Sequence, residues 1–318
     1  MTYVTQTCAL EPEGIIAAAN AIKEGKLIAF PTETVYGLGA DATNDLAVAK
    51  IFDVKGRPRF NPLIVHLPDL ESASTIAIFD KKAENLAREF WPGALTLVLP
   101  RVVGTTLSLL VSAGLPTVAV RIPAHDGARA FLHAAGCPIA APSANRSGHI
   151  SPTIAQHVSE ALDNEVVIIL DGGPCEIGVE STVLDLSDGD PILLRPGGIP
   201  VEALEQALGH TLATLNVEIN NPRGPGMVGP HYQPSIPLRL DATTFRPDEA
   251  LLGFGPTENA TLNLSEKGNL QEAAANLFAH LHALDQGDFS AIAAMSVPEQ
   301  GLGRAINDRL RRAAVPEV

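Results

Sequence analysis

Cysteine is nearly missing from this chain, with three in 318 residues, Cys8, Cys137 and Cys175. They lie far apart, and none has a second Cys or a His at ligand spacing, which excludes a zinc knuckle or a disulfide framework and fits a reducing compartment. No uninterrupted apolar run approaches the ~20 residues that a bilayer crossing needs. The start, MTYVTQTCALEPEG, has no basic stretch leading into an apolar one, so the expectation is a cytoplasmic protein. Aromatic residues make up only 4% of a chain that is 46% hydrophobic, so a core must be built from Ala, Leu, Ile and Val. Positive charge is also short: 22 Lys and Arg face 36 Asp and Glu, a net of -14. Such a surface is ill suited to gripping a long polyphosphate backbone unless its few cations gather in one place. Known nucleotide fingerprints are missing too. There is no G-x-x-x-x-G-K-[ST] loop, Gly301-Leu302-Gly303 lacks a third glycine, and no hydrolase nucleophile elbow is present.

What is present follows the order of an α/β protein. At roughly 150 residues per domain the length suggests two domains. EPEGIIAAANAIKEG puts Ile15, Ala18, Ala19 and Ile22 on one helical face and stops at Gly25. LIAFP reads as a buried strand, Thr32 to Gly39 as a polar turn, and about Asn44 to Val54 as a helix, with Lys55-Gly56-Arg57-Pro58 just beyond it. Residues 62–67 (PLIVHL) return as a strand. Further on, helices are expected over 81–91, 126–135, 154–162 and 201–208, and strands over 95–99, 117–122, 139–141, 166–170, 182–186 and 192–194. Only five residues, 187–191, separate the last two strands, which predicts an antiparallel hairpin and hence a mixed sheet. Residues 220–234 are dense in Pro and Gly, as a linker would be. From Leu238 a smaller α/β pattern begins, with helices expected near 270–284 and 305–313. The expected division is 1–215, a linker at 216–235, and 236–318.

Four cations sit where the chain turns or a strand ends: Lys55, Arg57, Arg121 and Arg195. Gathered at one site they would neutralise a triphosphate or a carboxylate. Ser143 and Asn145, two apart in a turn, can offer a hydroxyl and an amide to the same ligand. The same residue types fit solvated helix ends and local turn caps. Thr32, Thr34 and Tyr36 follow a buried strand, where open α/β sheets bind ligands. Thr32 suits a small polar substrate, and Tyr36 suits packing equally well. His66 fits a substrate contact or a structural role, Glu33 a base or a turn acceptor, and the Glu180-Ser181-Thr182 hydroxyls a ligand or a sheet edge.

Four segments together resemble the YrdC/Sua5 family of threonylcarbamoyl-AMP synthases: Pro31-Thr32-Glu33-Thr34-Val35-Tyr36-Gly37-Leu38, Lys55-Gly56-Arg57-Pro58 with Asn61-Pro62-Leu63, Ser143-Ala144-Asn145-Arg146-Ser147-Gly148, and Glu180-Ser181-Thr182-Val183. The tail, with Gly268-Asn269-Leu270, Leu284-Asp285 and Gly301-Leu302-Gly303-Arg304, resembles the family's extra Sua5 domain. The resemblance implies a YrdC-like twisted mixed sheet with flanking helices and a smaller C-terminal α/β domain. It implies ATP as substrate with Mg2+, L-threonine and bicarbonate or CO2 as co-substrates, and a product used for N6-threonylcarbamoyladenosine (t6A37) in tRNA by a downstream transferase complex. Lys55, Arg57, Ser143, Asn145 and Arg195 would then bind nucleotide, with Lys55 and Arg57 as the catalytic pair, and Thr32, His66, Arg121 and Ser181 would line the threonine pocket. His231 and Tyr232 belong to a linker segment that resembles one folding over the site. That linker keeps Pro225-Gly226-Met227 but carries Val228-Gly229-Pro230 where some relatives have basic residues. A carbamoyl-transfer enzyme acting on another acceptor and a tRNA or double-stranded-RNA-binding module are the rival readings.

Overall fold

The structure, a computed structural model, describes residues 4–214, 224 and 231–315. Ile28 and Phe30 face one way from their short strand and Ala29 the other, and all three are buried, so this strand must be covered on both sides. It lies within an eleven-stranded mixed sheet. The strands are β1 (Gln6–Ala9), β2 (Ile28–Phe30), β3 (Gly37–Asp41), β4 (Ile64–His66), β5 (Leu95–Pro100), β6 (Thr117–Arg121), β7 (Ile139–Ala140), β8 (Ile168–Asp171), β9 (Thr182–Asp185), β10 (Ile192–Arg195) and β11 (Ala213–Thr214). Their spatial order is β1-β8-β2-β3-β7-β4-β6-β5-β9-β10-β11. A second sheet, entirely parallel, holds β12 (Leu238–Arg239), β13 (Glu249–Gly253), β14 (Leu262–Asn263) and β15 (Ala291–Ala294) in the order β12-β15-β13-β14.

Helices cover the large sheet on both faces. Against Ile28 and Phe30 pack Ala18 and Ile22 of α1 (Pro12–Lys23) and Phe131 and Leu132 of α5 (Asp126–Ala135). The other face, with Ala29, Leu38 and Val65, takes Val48, Ile51 and Phe52 of α2 (Asp45–Lys55), Leu86 of α4 (Lys81–Phe90), Val158 of α6 (Ala155–Leu162) and Leu204 of α7 (Val201–Leu208). A short α3 (Leu70–Ser74) precedes α4. Around the small sheet, α8 (Leu270–Asp285) and α9 (Gly303–Ala313) bury Leu277, Phe278, Leu281, Ile306 and Leu310. Val35, Ile150 and Val179 from the large-sheet unit join this same cluster, so the two units are joined by an apolar seam. Gly178 makes the seam possible: at φ 72° it lies so close to α8 that a Cβ would stand 2.4 Å from the Ala274 carbonyl oxygen.

The mixed sheet, the β9–β10 hairpin and the expected helices are present. Two expectations need correction. Gly37 to Gly39, expected as the end of a polar turn, belong to β3, which pairs antiparallel with β2; glycines at 37 and 39 hide a strand whose Cβ positions would press on the Phe30 ring. Lys55 is the last residue of α2 and does not lie beyond it. β1, α3 and β11 gave no periodic signal because each has five residues or fewer. Residues 216–223 and 225–230 of the expected linker, including Pro225-Gly226-Met227 and Val228-Gly229-Pro230, lie outside the described residues. Among the described residues, no helix is long and apolar enough to cross a membrane.

The seam also carries a histidine pair. The rings of His157 on α6 and His282 on α8 stack at 3.8 Å. Burial, and then the charge of His282, holds His157 down to about 4, and burial lowers His282 too. The unfolded chain binds these protons nearer 6.5, so it takes up more protons than the folded one below that pH. Stability from this pair is therefore present above about pH 6.5 and lost as the pH falls towards 4. Calorimetric melting of native protein and of His157→Gln should show a gap that changes between about pH 7 and pH 4.5, the native chain losing more; parallel curves would contradict it.

Candidate active site

Ile64 and His66, alternate residues of β4, share one face of the sheet, and over them lies a cleft that is partly open to solvent. Every site residue expected from the sequence lines it. Thr32 follows β2, His66 ends β4, Arg121 ends β6 opposite His66 in register, and Arg195 ends β10. Ser143 and Asn145 follow β7, Ser181 precedes β9, and His231 and Tyr232 approach from beyond the large sheet. Lys55 and Arg57 arrive together because Asn44 caps the start of α2 and Gly56, at φ 63°, ends it.

Lys55 is buried and donates to the Ser143 carbonyl at 2.6 Å and to the Asn145 carbonyl. Its ammonium thereby shapes the Ser-Ala-Asn turn, and one N–H remains for a ligand. The Asn145 side chain donates to the Arg146 and His149 carbonyls at 2.7 and 2.8 Å, leaving Oδ1 buried without a partner. Arg57 donates to the carbonyls of Asn61 at 3.2 Å and Pro62 at 3.0 Å. Arg195 is fixed on the Ser181 carbonyl at 2.9 Å through Nη2. Gly197 allows this: a Cβ there would be 2.3 Å from the Ser181 carbonyl carbon.

On the other side, Arg121 donates to Glu33 Oε1 at 2.6 Å, to Thr34 Oγ1 at 2.9 Å and to the Gly93 carbonyl at 3.2 Å. The Thr32 hydroxyl donates to the Val35 carbonyl at 2.7 Å and accepts the Thr34 and Val35 N–H groups at 3.2 Å. It therefore builds the turn. Ser181 Oγ lies 2.7 Å from Thr96 Oγ1. His66, edge-on to Phe30 at 5.9 Å, keeps Nδ1 buried and without a partner.

These surroundings shift charges in one direction. Burial and then the Arg57 charge lower Lys55 well below an ordinary lysine. Burial and then Arg195 bring Arg57 down to about 10, and burial lowers Arg195 as well. Burial and then Arg121 press His66 to about 3, and burial and then Arg57 press His231 to about 3, so both imidazoles are neutral at pH 7. The cleft is short of negative charge and equipped to receive it. Among the described residues, no three His, Cys, Asp or Glu side chains gather to hold a metal.

Residues 20–197 match the family model Sua5_yciO_yrdC, described as telomere recombination. Residues 199–315 match Sua5_C, the threonylcarbamoyl-AMP synthase C-terminal domain. The chain belongs to the Sua5/YciO/YrdC family, in its long two-domain form. The threonylcarbamoyl-AMP synthase of Bacillus subtilis is 42% identical over 332 residues, spanning 98% of this chain and 96% of its own. The crystal structure of Pyrococcus abyssi Sua5 complexed with L-threonine superposes with a TM-score of 0.89 at 40% identity, covering 99% of this chain and 98% of that one. The same archaeal protein with an adjacent His and Tyr both changed to alanine superposes equally well, TM-score 0.89 at 38% identity, over 98% of this chain and 96% of that one.

Tyr36, one of two readings left open by the sequence, packs: it is fully buried and donates to the Gly173 carbonyl at 2.8 Å. Glu33 is the partner of Arg121 and is not among the cleft-lining residues. Ser151 and Glu180 line the cleft without having been assigned to it. No local signal marked Ser151, while Glu180 was passed over within a segment that the sequence had singled out for its hydroxyls.

The Arg121–Glu33 pair is buried on both sides, and Glu33 Oε2 already lacks a partner. Arg121→Met therefore strands a carboxylate and should cost about 3 kcal/mol or more in urea unfolding, while Arg121→Met/Glu33→Gln should recover most of it. A double variant as unstable as the single one would refute this account.

Proposed function

We propose that this chain is an L-threonylcarbamoyladenylate synthase, converting L-threonine, bicarbonate or CO2, and ATP into threonylcarbamoyl-AMP and pyrophosphate. The observation that supports it most is the convergence of Lys55, Arg57, Arg121 and Arg195 with Ser143 and Asn145 around one hollow in a chain of net charge -14. We read residues 1–215 as the catalytic domain, 216–235 as an active-site linker and 236–318 as the second domain. The adenylate would be passed to a transferase complex that modifies tRNA.

In this reading Lys55, Arg57, Ser143, Asn145 and Arg195 take the nucleotide, and Arg121 with Thr32, His66 and Ser181 take the amino acid. The threonine amine attacks bicarbonate carbon, water leaves, and a carbamate oxygen then attacks the α-phosphorus as pyrophosphate departs with the electrons of the broken P–O bond. Two anions must approach each other, which is costly unless fixed cations and donors face them. A polyphosphate beside Lys55 favours its protonated form and so counters the lowering that burial causes. Mg2+ would come with the nucleotide, held mainly through phosphate oxygens as this ion usually is, and would neutralise charge on the leaving group. His231 and Tyr232 would help to exclude water from a labile carbamate. The choice of an adjacent His–Tyr pair for alanine replacement in the archaeal relative draws attention to the same dipeptide here.

Threonine selection falls on His66. The Thr32 hydroxyl is spent within its turn, whereas neutral His66 lines the cleft with an imidazole that a substrate hydroxyl can meet. Valine leaves it unpaired, and serine loses only a methyl contact.

The test is to mix protein, ATP, Mg2+ and bicarbonate with threonine, serine or valine and weigh the nucleotide product by mass spectrometry. Threonylcarbamoyl-AMP should form with threonine, less of the corresponding carbamoyl-adenylate with serine, and at least about 100-fold less with valine. Lys55→Ala should lose about 100-fold or more of turnover while keeping its far-UV circular dichroism. Near-normal turnover in that variant would remove Lys55 from the site.

A further inference from the structure

One arginine outside the cleft touches its walls from the second unit. Arg309 of α9 is fully buried, a state in which charged side chains persist only when paired. Its Nε donates to Glu180 Oε2 at 2.8 Å, and its Nη1 donates to the Pro196 carbonyl and to Asp308 Oδ2, at 2.8 and 2.7 Å. Its Cζ stands 5.4 Å from the centre of the Tyr232 ring. Glu180 and Tyr232 line the cleft, and Pro196 directly follows the cleft arginine Arg195. Arg309 therefore grips three parts of a wall it does not itself line.

Glu180 is the reason this matters. It is a buried carboxylate on a surface otherwise supplied with cations, and its other oxygen accepts from Ser151 Oγ at 2.6 Å. Burial alone would raise its carboxyl, but the charges of Arg309 and Arg195 and the hydrogen bonds from Ser151 and Arg309 outweigh it and hold the group down to about 2. Glu180 is thus an anion where an incoming polyphosphate is also an anion. Tyr232 needs holding for a different reason: it has φ 68°, in the left-handed region that non-glycine residues avoid. Its ring is pinned between Arg309 and Phe278, whose centre is 5.2 Å away.

We propose that Arg309 is a positioning residue of the active site: by neutralising Glu180 and bracing Tyr232 it lets the second unit set the charge that the nucleotide meets. This rests on the nucleotide reading proposed above. Arg309 touches no substrate. Its influence is electrostatic, through Glu180, and it reaches the cleft only while α9 stays docked. The second unit is accordingly part of the ATP site and more than a support for it.

Titration calorimetry with α,β-methylene-ATP and magnesium decides the matter. Arg309→Met should weaken binding about tenfold or more, because it leaves Glu180 facing the phosphates uncompensated. Glu180→Gln should bind at least as well as the native chain, within about twofold. Arg309→Met/Glu180→Gln, which removes both charges and so avoids a stranded ion, should return to within about threefold of native. A merely structural arginine predicts the reverse, with Glu180→Gln weakened and the double variant no better than Arg309→Met; either result overturns the proposal. Should Arg309→Met fail to fold, Glu180→Gln and the double variant still give opposite answers under the two accounts. No binding by the native chain would sink the nucleotide reading and this inference together, whereas native binding without charge rescue sinks this inference alone.

Discussion

Holding several cations out of water in one hollow costs several kcal/mol per ion after relaxation, and much of the local architecture of this protein can be understood as offsetting that cost without neutralising the cations. Lys55 and Arg195 are each held by backbone carbonyls, and so is Arg57. A carbonyl dipole steadies a cation while leaving its full charge available to a ligand, which a carboxylate would not. One cleft cation does meet a carboxylate, Arg121 with Glu33, and the cleft's own Glu180 is taken up by Arg309 from another element altogether.

This constraint explains why the turns are so closely packed. Carbonyls can face a cation only where the backbone leaves its regular pairing, so each cation sits at the end of a helix or strand and points into a loop. Gly56 frees the chain after α2, and Gly197 lets the segment after β10 press on Ser181. The neutral histidines share this setting, since burial first, and then the charges of Arg121 and Arg57, keep His66 and His231 from acquiring charge. They remain hydrogen-bonding groups in a field that repels protons.

The two units are coupled by the same physics. An apolar seam with Val35, Ile150 and Val179 supplies most of the attraction, as burial of aliphatic surface does generally. Polar contacts then set its register: Arg309 to Glu180, His282 to the Ser151 carbonyl at 3.2 Å, and the stacked His157 and His282 rings. Ser151 and Glu180 are cleft residues, so the seam and the site share side chains. Arg309 was in principle visible in the sequence. It stands on the stripe of Ala305, Ile306, Leu310 and Ala313 that α9 buries, and an arginine on an apolar stripe needs a hidden partner. Nothing in the sequence named that partner, 129 residues away.

Residue order and type were enough to establish a mixed α/β sheet, its long helices and the β9–β10 hairpin, because helix periodicity, glycine stops and short loops are local signals, whereas the polar residues of the cleft fitted helix ends and turn caps equally well and were singled out only by resemblance to a family. Short elements escaped: β3 hides behind two glycines, and β1, α3 and β11 have too few residues for any period to emerge. The division of labour among the polar side chains also had to wait for the folded chain. That Tyr36 packs, that Glu33 answers Arg121 and that Glu180 answers Arg309 depend on which groups the folded chain brings within about 3 Å. Hydrogen bonds and ion pairs act over such distances only, and sequence separation carries no information about them.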